Sequence, residues 1–149
     1  MIELRSADWS DLETRRQLMA LRFEVFVEEQ NVPPELEEDG MDGEARHVLL
    51  FVEGRPAGCA RWRFLSGGRA KVERVAVRAP LRGQGLGGRV MAAVEQDVRS
   101  AGVETIVLAA QASAVAFYEA RGYRGVGPRF MEAGIEHLRM ERDAAAPIC

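Results

Sequence analysis

A glycine-rich run in the middle of the chain is the clearest candidate for binding chemistry. Residues 82–89 read Arg-Gly-Gln-Gly-Leu-Gly-Gly-Arg, and apolar residues at helical spacing follow them. The first four N–H groups of a helix have no partner within it, and the helix dipole leaves partial positive charge there. Glycine lacks the Cβ atom that would keep a phosphate away, and Arg82 and Arg89 can add charged hydrogen bonds. The run therefore predicts a phosphate or pyrophosphate site.

Two other interpretations of this run stay open. It could be only a tight strand-to-helix turn whose glycines serve packing, or a dinucleotide fingerprint, since Gly83-x-Gly85-x-x-Gly88 matches that pattern literally. The fingerprint should directly follow its strand and have an acidic residue about 20 positions on, after the next strand. Here Pro80 intervenes and Glu104 precedes its strand, which disfavours a dinucleotide site. A Walker-type loop is excluded because the run lacks Gly-Lys-Ser/Thr.

The elements that must position this run follow from the period of the apolar residues. Alternating or β-branched stretches predict strands, and apolar residues three or four apart predict helices. The predicted strands are 2–7, 47–53, 57–65, 70–77, 105–110 and 135–142, with one more short strand after Tyr123. The predicted helices are 11–29, 86–98 and 113–121. Strands dominate the middle of the chain, and strand and helix alternate in its second half, so the predicted fold class is mixed α/β.

Local signals refine these boundaries. Ser10-x-x-Glu13 matches a capping box and predicts the start of the first helix, while Gly122 can end the helix over 113–121 in the left-handed conformation. Residues 31–44 hold two prolines, two glycines and six carboxylates, which predicts a loop. This acidic loop could attract a cationic amine, but a solvated run of charge is the favoured interpretation.

Length and composition narrow the classes of protein. The 149 residues fit a single domain over 1–149. A net charge of −3 does not favour a nucleic-acid partner, and no apolar run approaches the roughly 20 residues that would span a membrane. Cys59 and Cys149 are not expected to form a disulfide, which fits the cytoplasm. His47 and His137 lie far apart with no other ligand residue nearby in sequence, so no metal site is predicted.

Three segments of the chain resemble one known family. Arg82-x-x-Gly85-x-Gly87, after the strand over 72–77, resembles the acyl-CoA pyrophosphate loop of the GNAT superfamily of N-acetyltransferases. Residues 109–123, Ala-Ala-Gln-Ala-Ser-Ala-Val-Ala-Phe-Tyr-Glu-Ala-Arg-Gly-Tyr, are similar to that family's strand and its Ala-x-x-Phe-Tyr-x-x-x-Gly-Phe/Tyr helix. Residues 21–39 resemble an ElaA-like branch of the family. The likeness spans nearly the whole chain.

The resemblance implies a fold and an acetyl-CoA site. The fold is a mixed, mostly antiparallel sheet of about six to seven strands, splayed between two parallel strands and flanked by about four helices. Backbone groups of residues 75–77 would pair with the pantetheine arm, and those of 83–89 would hold the pyrophosphate. Ser113 could equally be a helix N-cap. The implied acetyl-CoA residues are Val75, Ala76, Val77, Arg82, Gly83, Gln84, Gly85, Leu86, Gly87, Gly88, Arg89, Gln111, Ser113 and Tyr118.

The resemblance also implies catalytic residues. Tyr118 matches the family tyrosine that gives a proton to the departing CoA thiolate, although it could instead be a half-buried tyrosine with a satisfied hydroxyl. Phe117 is expected in the core. Glu73 would be the base, directly or through water, unless it pairs with Arg61 or Arg63 across the sheet. A backbone N–H near Val77 would stabilise the oxyanion. Weaker candidates for the base are Glu28, Glu29 and His47.

The expected function is therefore transfer of an acetyl group from acetyl-CoA to a primary amine by direct attack in a ternary complex, without a metal. The acceptor would be a small molecule or a protein amino group. No nucleic-acid or membrane partner is expected, and the chain could form a homodimer. A noncatalytic acyl-CoA sensor or regulatory module is the alternative function, and nucleotide binding through the glycine run is a third.

Overall fold

A central sheet of eight strands organises the computed structural model, which describes residues 1–145. The strands are β1 (Ile2–Ala7), β2 (Arg46–Val52), β3 (Arg55–Leu65), β4 (Arg69–Val77), β5 (Thr105–Gln111), β6 (Arg124–Gly125), β7 (Phe130–Glu132) and β8 (Ile135–Asp143). The helices are α1 (Leu12–Arg22), α2 (Pro34–Glu37), α3 (Leu86–Ser100) and α4 (Val115–Ala120). The mixed α/β class is confirmed. The sheet has eight strands where six to seven were expected, and two of the eight, β6 and β7, have only two and three residues. Cys149 lies outside the described residues.

The strand order is β1-β2-β3-β4-β5-β8-β6, with β7 also paired to β8. All neighbours are antiparallel except β4 and β5. These two strands pair only where residues 69–72 face residues 105–108. Beyond Val72 they separate, which confirms the predicted splayed pair of parallel strands.

A bulge in β4 accounts for the separation. Arg74 has a positive φ of 56°, and the register of β3 against β4 shifts between Cys59 and Arg61. A bulge bends its strand and increases the local twist. Residues 75–77 therefore leave β5, while β5 continues along β8. Within residues 1–145, no strand pairs with the edge of 75–77 that faces the resulting gap.

The two faces of the sheet are covered by different helices. On one face α3 packs its buried residues, among them Val90 and Val94, against strand residues such as Trp62 and Ile106. On the other face α1 and the segment after it pack against a smaller apolar cluster around Cys59. This arrangement leaves the gap between β4 and β5 accessible from the α1 side, where residues 31–44 also lie.

The first helix differs from its prediction at both ends. The N-cap is Asp11, whose carboxylate accepts from the Thr14 backbone N–H at 3.0 Å, so the capping box beginning at Ser10 is wrong by one residue. The Ser10 hydroxyl instead donates to Asp8 at 2.7 Å. The predicted span to residue 29 is helical, but it changes to a π-helix over Phe23–Glu29.

The remaining boundaries agree within about two residues. The predicted loop over 31–44 contains the single turn of α2, which begins at Pro34 because proline is tolerated in a first helical turn. The helix expected from Ser113 begins at Val115 after a 3₁₀ turn over Ala112–Ala114. Gly122 follows it with φ of +90°, as predicted. Among residues 1–145, no helix combines the length and apolar character needed to cross a membrane.

Candidate functional site

A cavity of about 470 Å³ occupies the gap between the splayed strands. Its walls come from both strands, from the end of the π-helix, from α4 and from the β7–β8 hairpin. The wall residues discussed below are Gln30, Glu37, Asp39, Arg63, Lys71, Glu73, Arg74, Val75, Gln111, Tyr118, Glu132 and His137. The structure thus brings Val75, Glu73, Gln111 and Tyr118 of the predicted site around one cavity.

The glycine-rich turn lies beyond the open end of β4. That strand ends at Val77, and a 3₁₀ turn over Ala79–Leu81 leads directly to the turn before α3. Gly83 and Gly85 have φ of +80° and +78°, and a Cβ atom on either would meet no protein atom within 4 Å. The Arg89 N–H makes the first helical bond, to the Gly85 carbonyl at 3.3 Å. The N–H groups just before it therefore stand at an exposed helix start.

The two arginines that flank the turn differ in their surroundings. The Arg82 guanidinium forms an ion pair with Glu29, with Nη2 2.8 Å from Oε1, and its Nε donates to the Val77 carbonyl at 2.9 Å. Arg82 therefore joins the end of β4 to the end of the π-helix. Arg89 and Gln84 are exposed. Phe117, which was expected in the core, is partly exposed. Its ring lies against Gly87, 3.5 Å from where a Cβ atom on that residue would stand.

Gln111 and Ser113 follow the point where β5 leaves β4. The Gln111 amide exchanges two hydrogen bonds with the Gln30 amide across the cavity, at 2.8 and 3.3 Å. Ser113 is exposed in its 3₁₀ turn. Its alternative role as the N-cap is wrong, because the residue before α4 is Ala114 and no side chain caps that helix.

Tyr118, on α4, lines the cavity. Its ring lies edge to face with Phe117 and with Tyr123, at centroid distances of 5.0 and 5.6 Å. The residue is 7% exposed, and no hydrogen bond joins its hydroxyl to another residue of the range 1–145. Burial, with the negative charge of Glu95, raises the pKa of this phenol. Tyr118 is therefore a neutral hydrogen-bond donor with no acceptor in the described part of the chain, unlike the satisfied tyrosine of the alternative interpretation.

Glu73 forms the cross-strand ion pairs that were the alternative to a catalytic role. Its Oε2 accepts from Arg61 Nη2 at 2.7 Å, its Oε1 accepts from Arg63 at 3.2 Å, and Lys71 Nζ lies 3.4 Å away. Burial alone would raise the pKa of this carboxyl, but the bonds from Arg63 and Arg61 lower it. At neutral pH Glu73 is therefore a carboxylate whose charge is already balanced.

The acidic loop is anchored to the sheet by buried arginines. Arg22 donates to Glu37 at 2.5 Å and to Asp42 at 2.7 Å, and Arg61 donates to the same Asp42 oxygen at 2.9 Å. Glu37 and Asp42 are both buried, so a solvated run of charge is the wrong description for them. The other interpretation, attraction of a cationic amine, is weakened because arginines already balance these charges. The exposed acidic residues of the loop are Glu35, Glu38, Asp39 and Glu44, of which Asp39 is paired with Arg61.

The weaker candidates for the base lie outside the cavity wall. His47 is buried, stacks on Trp9 at 5.1 Å, and its Nε2 is 3.0 Å from the Asp42 carbonyl oxygen. Burial lowers the pKa of this imidazole. Glu28 is exposed, and Glu29 is engaged by Arg82.

Sequence reasoning missed His137 as a member of the site. This residue stands opposite Gln111 in the β5–β8 pairing and lines the cavity. Its sequence neighbours gave no ligand spacing, and the pairing that brings it to Gln111 spans 26 positions. The alternation of Ile135, His137 and Arg139 along one strand face was the available signal. Within residues 1–145, no group of three or more His, Cys, Asp or Glu side chains is placed to hold a metal ion.

Comparisons with known proteins agree on one family. A family profile described as an acetyltransferase (GNAT) domain matches residues 10–144. The uncharacterised N-acetyltransferase YjcF of Bacillus subtilis strain 168 is 41% identical over 124 residues, which cover 83% of this chain and 88% of that protein.

Two solved structures share the fold over nearly their whole length. The crystal structure of ElaA from Escherichia coli has a TM-score of 0.86 at 30% identity, covering 95% of this chain and 99% of that one. The crystal structure of an acyl-CoA N-acyltransferase from Pseudomonas aeruginosa has a TM-score of 0.85 at 30% identity, with the same coverage. The predicted fold and the resemblance to ElaA are confirmed.

Proposed function

The chain belongs to the GNAT family of acetyltransferases, and we propose that it moves an acetyl or similar acyl group from acyl-CoA to a primary amine. The amine attacks the thioester directly while both substrates are bound. The acceptor is a small molecule or the amino group of a protein.

One observation supports this proposal above the others: the unpaired edge of β4 leads from the exposed helix start to the Tyr118 hydroxyl. Apart from the Val77 carbonyl, which already accepts from Arg82, the open N–H and C=O groups along residues 75–77 can bond a pantetheine arm as an added strand would. The helix start after Gly85 suits a diphosphate, since no protein atom lies within 4 Å of where a Cβ atom on Gly83 or Gly85 would stand. The thioester would then lie in the cavity beside Tyr118.

The chemistry requires a neutral amine, a stabilised oxyanion and a protonated leaving thiol. An alkylamine is mostly protonated at pH 7, because its pKa is about 10. In this proposal a backbone N–H of the free β4 edge, near Val77, stabilises the oxyanion. Tyr118 gives the thiolate its proton. Direct proton transfer to Glu73 has weak support, because its oxygens already accept from Arg61 and Arg63.

Calorimetry and a thiol-release assay test the proposal together. Acetyl-CoA and CoA should both bind, and at least one member of a panel of amines, polyamines, amino acids and peptides should accelerate thiol release. Binding without acceleration by any amine would favour the noncatalytic sensor. Absence of heat with every acyl-CoA tested would contradict the acyl-CoA site itself, and binding of NAD or ATP in its place would favour a nucleotide site.

A further inference from the structure

We propose that His137 is the proton acceptor for the attacking amine, through its Nε2 atom. The inference rests on the proposed acyl transfer and adds a base, which none of the sequence-based candidates supplies convincingly. It follows from where the strand register places this side chain, from how its ring is held, and from the state of the other groups in the cavity.

The register places His137 at the mouth of the gap. It stands opposite Gln111, the last residue of β5, and opposite Phe130 of β7. Residues directly opposite on neighbouring strands share one face of the sheet. The cavity wall includes both Gln111 and His137, and it continues to Glu73 on the far side of the gap. The imidazole therefore lies on the α1 side of the sheet, where residues 31–44 leave room for an acceptor.

The ring is held so that one nitrogen keeps a free lone pair. Nδ1 lies 2.7 Å from the Ile135 carbonyl oxygen, which can only accept, so Nδ1 carries the hydrogen. In the neutral ring the lone pair is then on Nε2. The side chain is 9% exposed, and Phe130 stacks on it at 5.8 Å with an interplanar angle of 24°. Over residues 1–145, no hydrogen bond reaches Nε2.

The acidic groups around the cavity are less suited to accept a proton. Glu37 is paired with Arg22. Asp39 and Glu73 are paired with Arg61, and although burial alone would raise the pKa of both carboxyls, hydrogen bonds from arginines lower it. Glu132, on β7, has its Oε2 3.9 Å from His137 Nε2 and a side chain that is 59% exposed. It is placed to stabilise an imidazolium, with its charge partly screened by solvent.

The remaining titratable groups carry a proton already. Arg63, Lys71 and Arg74 face the cavity as cations, and burial keeps Tyr118 protonated. Each of these three cations lies within 3.4 Å of a carboxylate of the cavity wall, so its charge is already paired. Imidazole is the side chain whose ordinary pKa, about 6.5, lets it take and release a proton near pH 7.

With His137 as the base, every proton of the transfer has a donor and an acceptor. An ammonium proton passes to His137 Nε2, and the nitrogen lone pair forms the C–N bond to the thioester carbon. As the C–S bond breaks, its electron pair leaves on sulfur, which takes the proton of the Tyr118 hydroxyl. The second proton lost by the nitrogen restores that hydroxyl, and His137 releases the first to water. The products are the amide, the free thiol and one proton.

The test compares wild-type protein with His137→Gln, using the best amine of the panel and acetyl-CoA. At pH 7 we expect kcat/KM to fall at least about 100-fold, the usual contribution of a positioned base. The difference should shrink steadily toward pH 10, where the amine loses its proton unaided. The Kd of CoA should stay within about twofold, which shows that the fold and donor site are intact. The matched control is Glu136→Gln, an exposed change at the preceding residue of β8.

Two outcomes would overturn the inference while leaving the proposed function standing. One is an active wild type whose rate His137→Gln leaves within about threefold, or reduces equally at every pH. The other is ¹⁵N spectroscopy of the CoA-bound protein at pH 8 that shows the hydrogen on Nε2 and not on Nδ1. A wild type that binds CoA but transfers to no amine would remove the proposed function, and the inference with it.

Discussion

Two tyrosines lie edge to face beside the cavity, and their hydroxyls have opposite surroundings. The Tyr123 hydroxyl donates to the buried carboxylate of Glu95 at 2.8 Å. Tyr118 lines the cavity, and its hydroxyl has no hydrogen-bond partner among the described residues. Burial raises the pKa of both phenols. One of these hydroxyls therefore serves the structure, and the other is available for chemistry.

This contrast makes a matched pair of substitutions. For Tyr118→Phe we expect kcat to fall about 100-fold, because the thiolate loses its proton donor, with little change in the free energy of unfolding. For Tyr123→Phe we expect the reverse, a loss of about 1 kcal/mol in stability with kcat nearly unchanged, because Glu95 loses one buried hydrogen bond and keeps its ion pairs with Arg121 and Arg142. Steady-state kinetics and urea unfolding measure both. Equal effects of the two changes on kcat would contradict the assignment.

At the scale of elements, the acidic loop depends on its buried carboxylates. Burial alone would raise the pKa of Asp42, but hydrogen bonds from Arg22 and Arg61 lower it. A lowered folded-state pKa stabilises the protein above the unfolded pKa of about 3.9, and that stability is lost as pH falls through the folded pKa. The loop is thus held to the sheet most firmly near neutral pH.

Asp42→Asn tests this anchor. At pH 7 we expect the free energy of unfolding to fall by about 3 kcal/mol, because Arg22 and Arg61 lose a buried countercharge. The deficit should narrow as pH falls below the unfolded pKa of about 3.9 and through the lower folded-state pKa, where the wild type itself loses this stability. Glu35→Gln, an exposed change in the same loop, is the control. A deficit that does not vary with pH would show that the charge is not what matters.

The two ends of α3 offer a second matched pair. Gly85 and Gly102 have φ of +78° and +79°, and a Cβ atom on either meets nothing within 4 Å. Because both φ angles are positive, Gly85→Ala and Gly102→Ala should each lower the free energy of unfolding by about 1 kcal/mol. Only Gly85→Ala places a methyl group in front of the exposed N–H groups, so we expect the Kd of CoA to rise about tenfold or more for it alone. Calorimetry with CoA measures the Kd of both variants. Equal Kd values for Gly85→Ala and Gly102→Ala would contradict a diphosphate at this helix start.

Over the whole molecule, local signals were enough for most elements and for the glycine turn. The turn at 83–88 and the pattern around Tyr118 lie within a few residues, so residue type and spacing reveal them. The bulge at Arg74, the pairing of Asp42 with two arginines and the approach of His137 to Gln111 depend on strand register. Register is set by packing between distant segments, which a single sequence does not display.

The cysteine in the core links ligand binding to global stability. Cys59 is 1% exposed within the apolar cluster under α1, and burial raises the pKa of its thiol to about 12. The buried thiol is inaccessible to an aromatic disulfide reagent, and its raised pKa leaves almost none of it as the reactive thiolate. We therefore expect Cys59 to react only when the chain opens. Cys149→Ser removes the other cysteine of the sequence, so labelling of this variant reports Cys59 alone.

Acetyl-CoA at 100 times its Kd should reduce the unfolded population about 100-fold, and the labelling rate with it, provided that closing is faster than labelling. The Gly85→Ala variant at the same concentration of acetyl-CoA should be protected less, because its affinity is lower, whereas Gly102→Ala should be protected like its parent. If acetyl-CoA binds but leaves the rate unchanged, Cys59 becomes exposed by a local opening that does not involve the β4 edge.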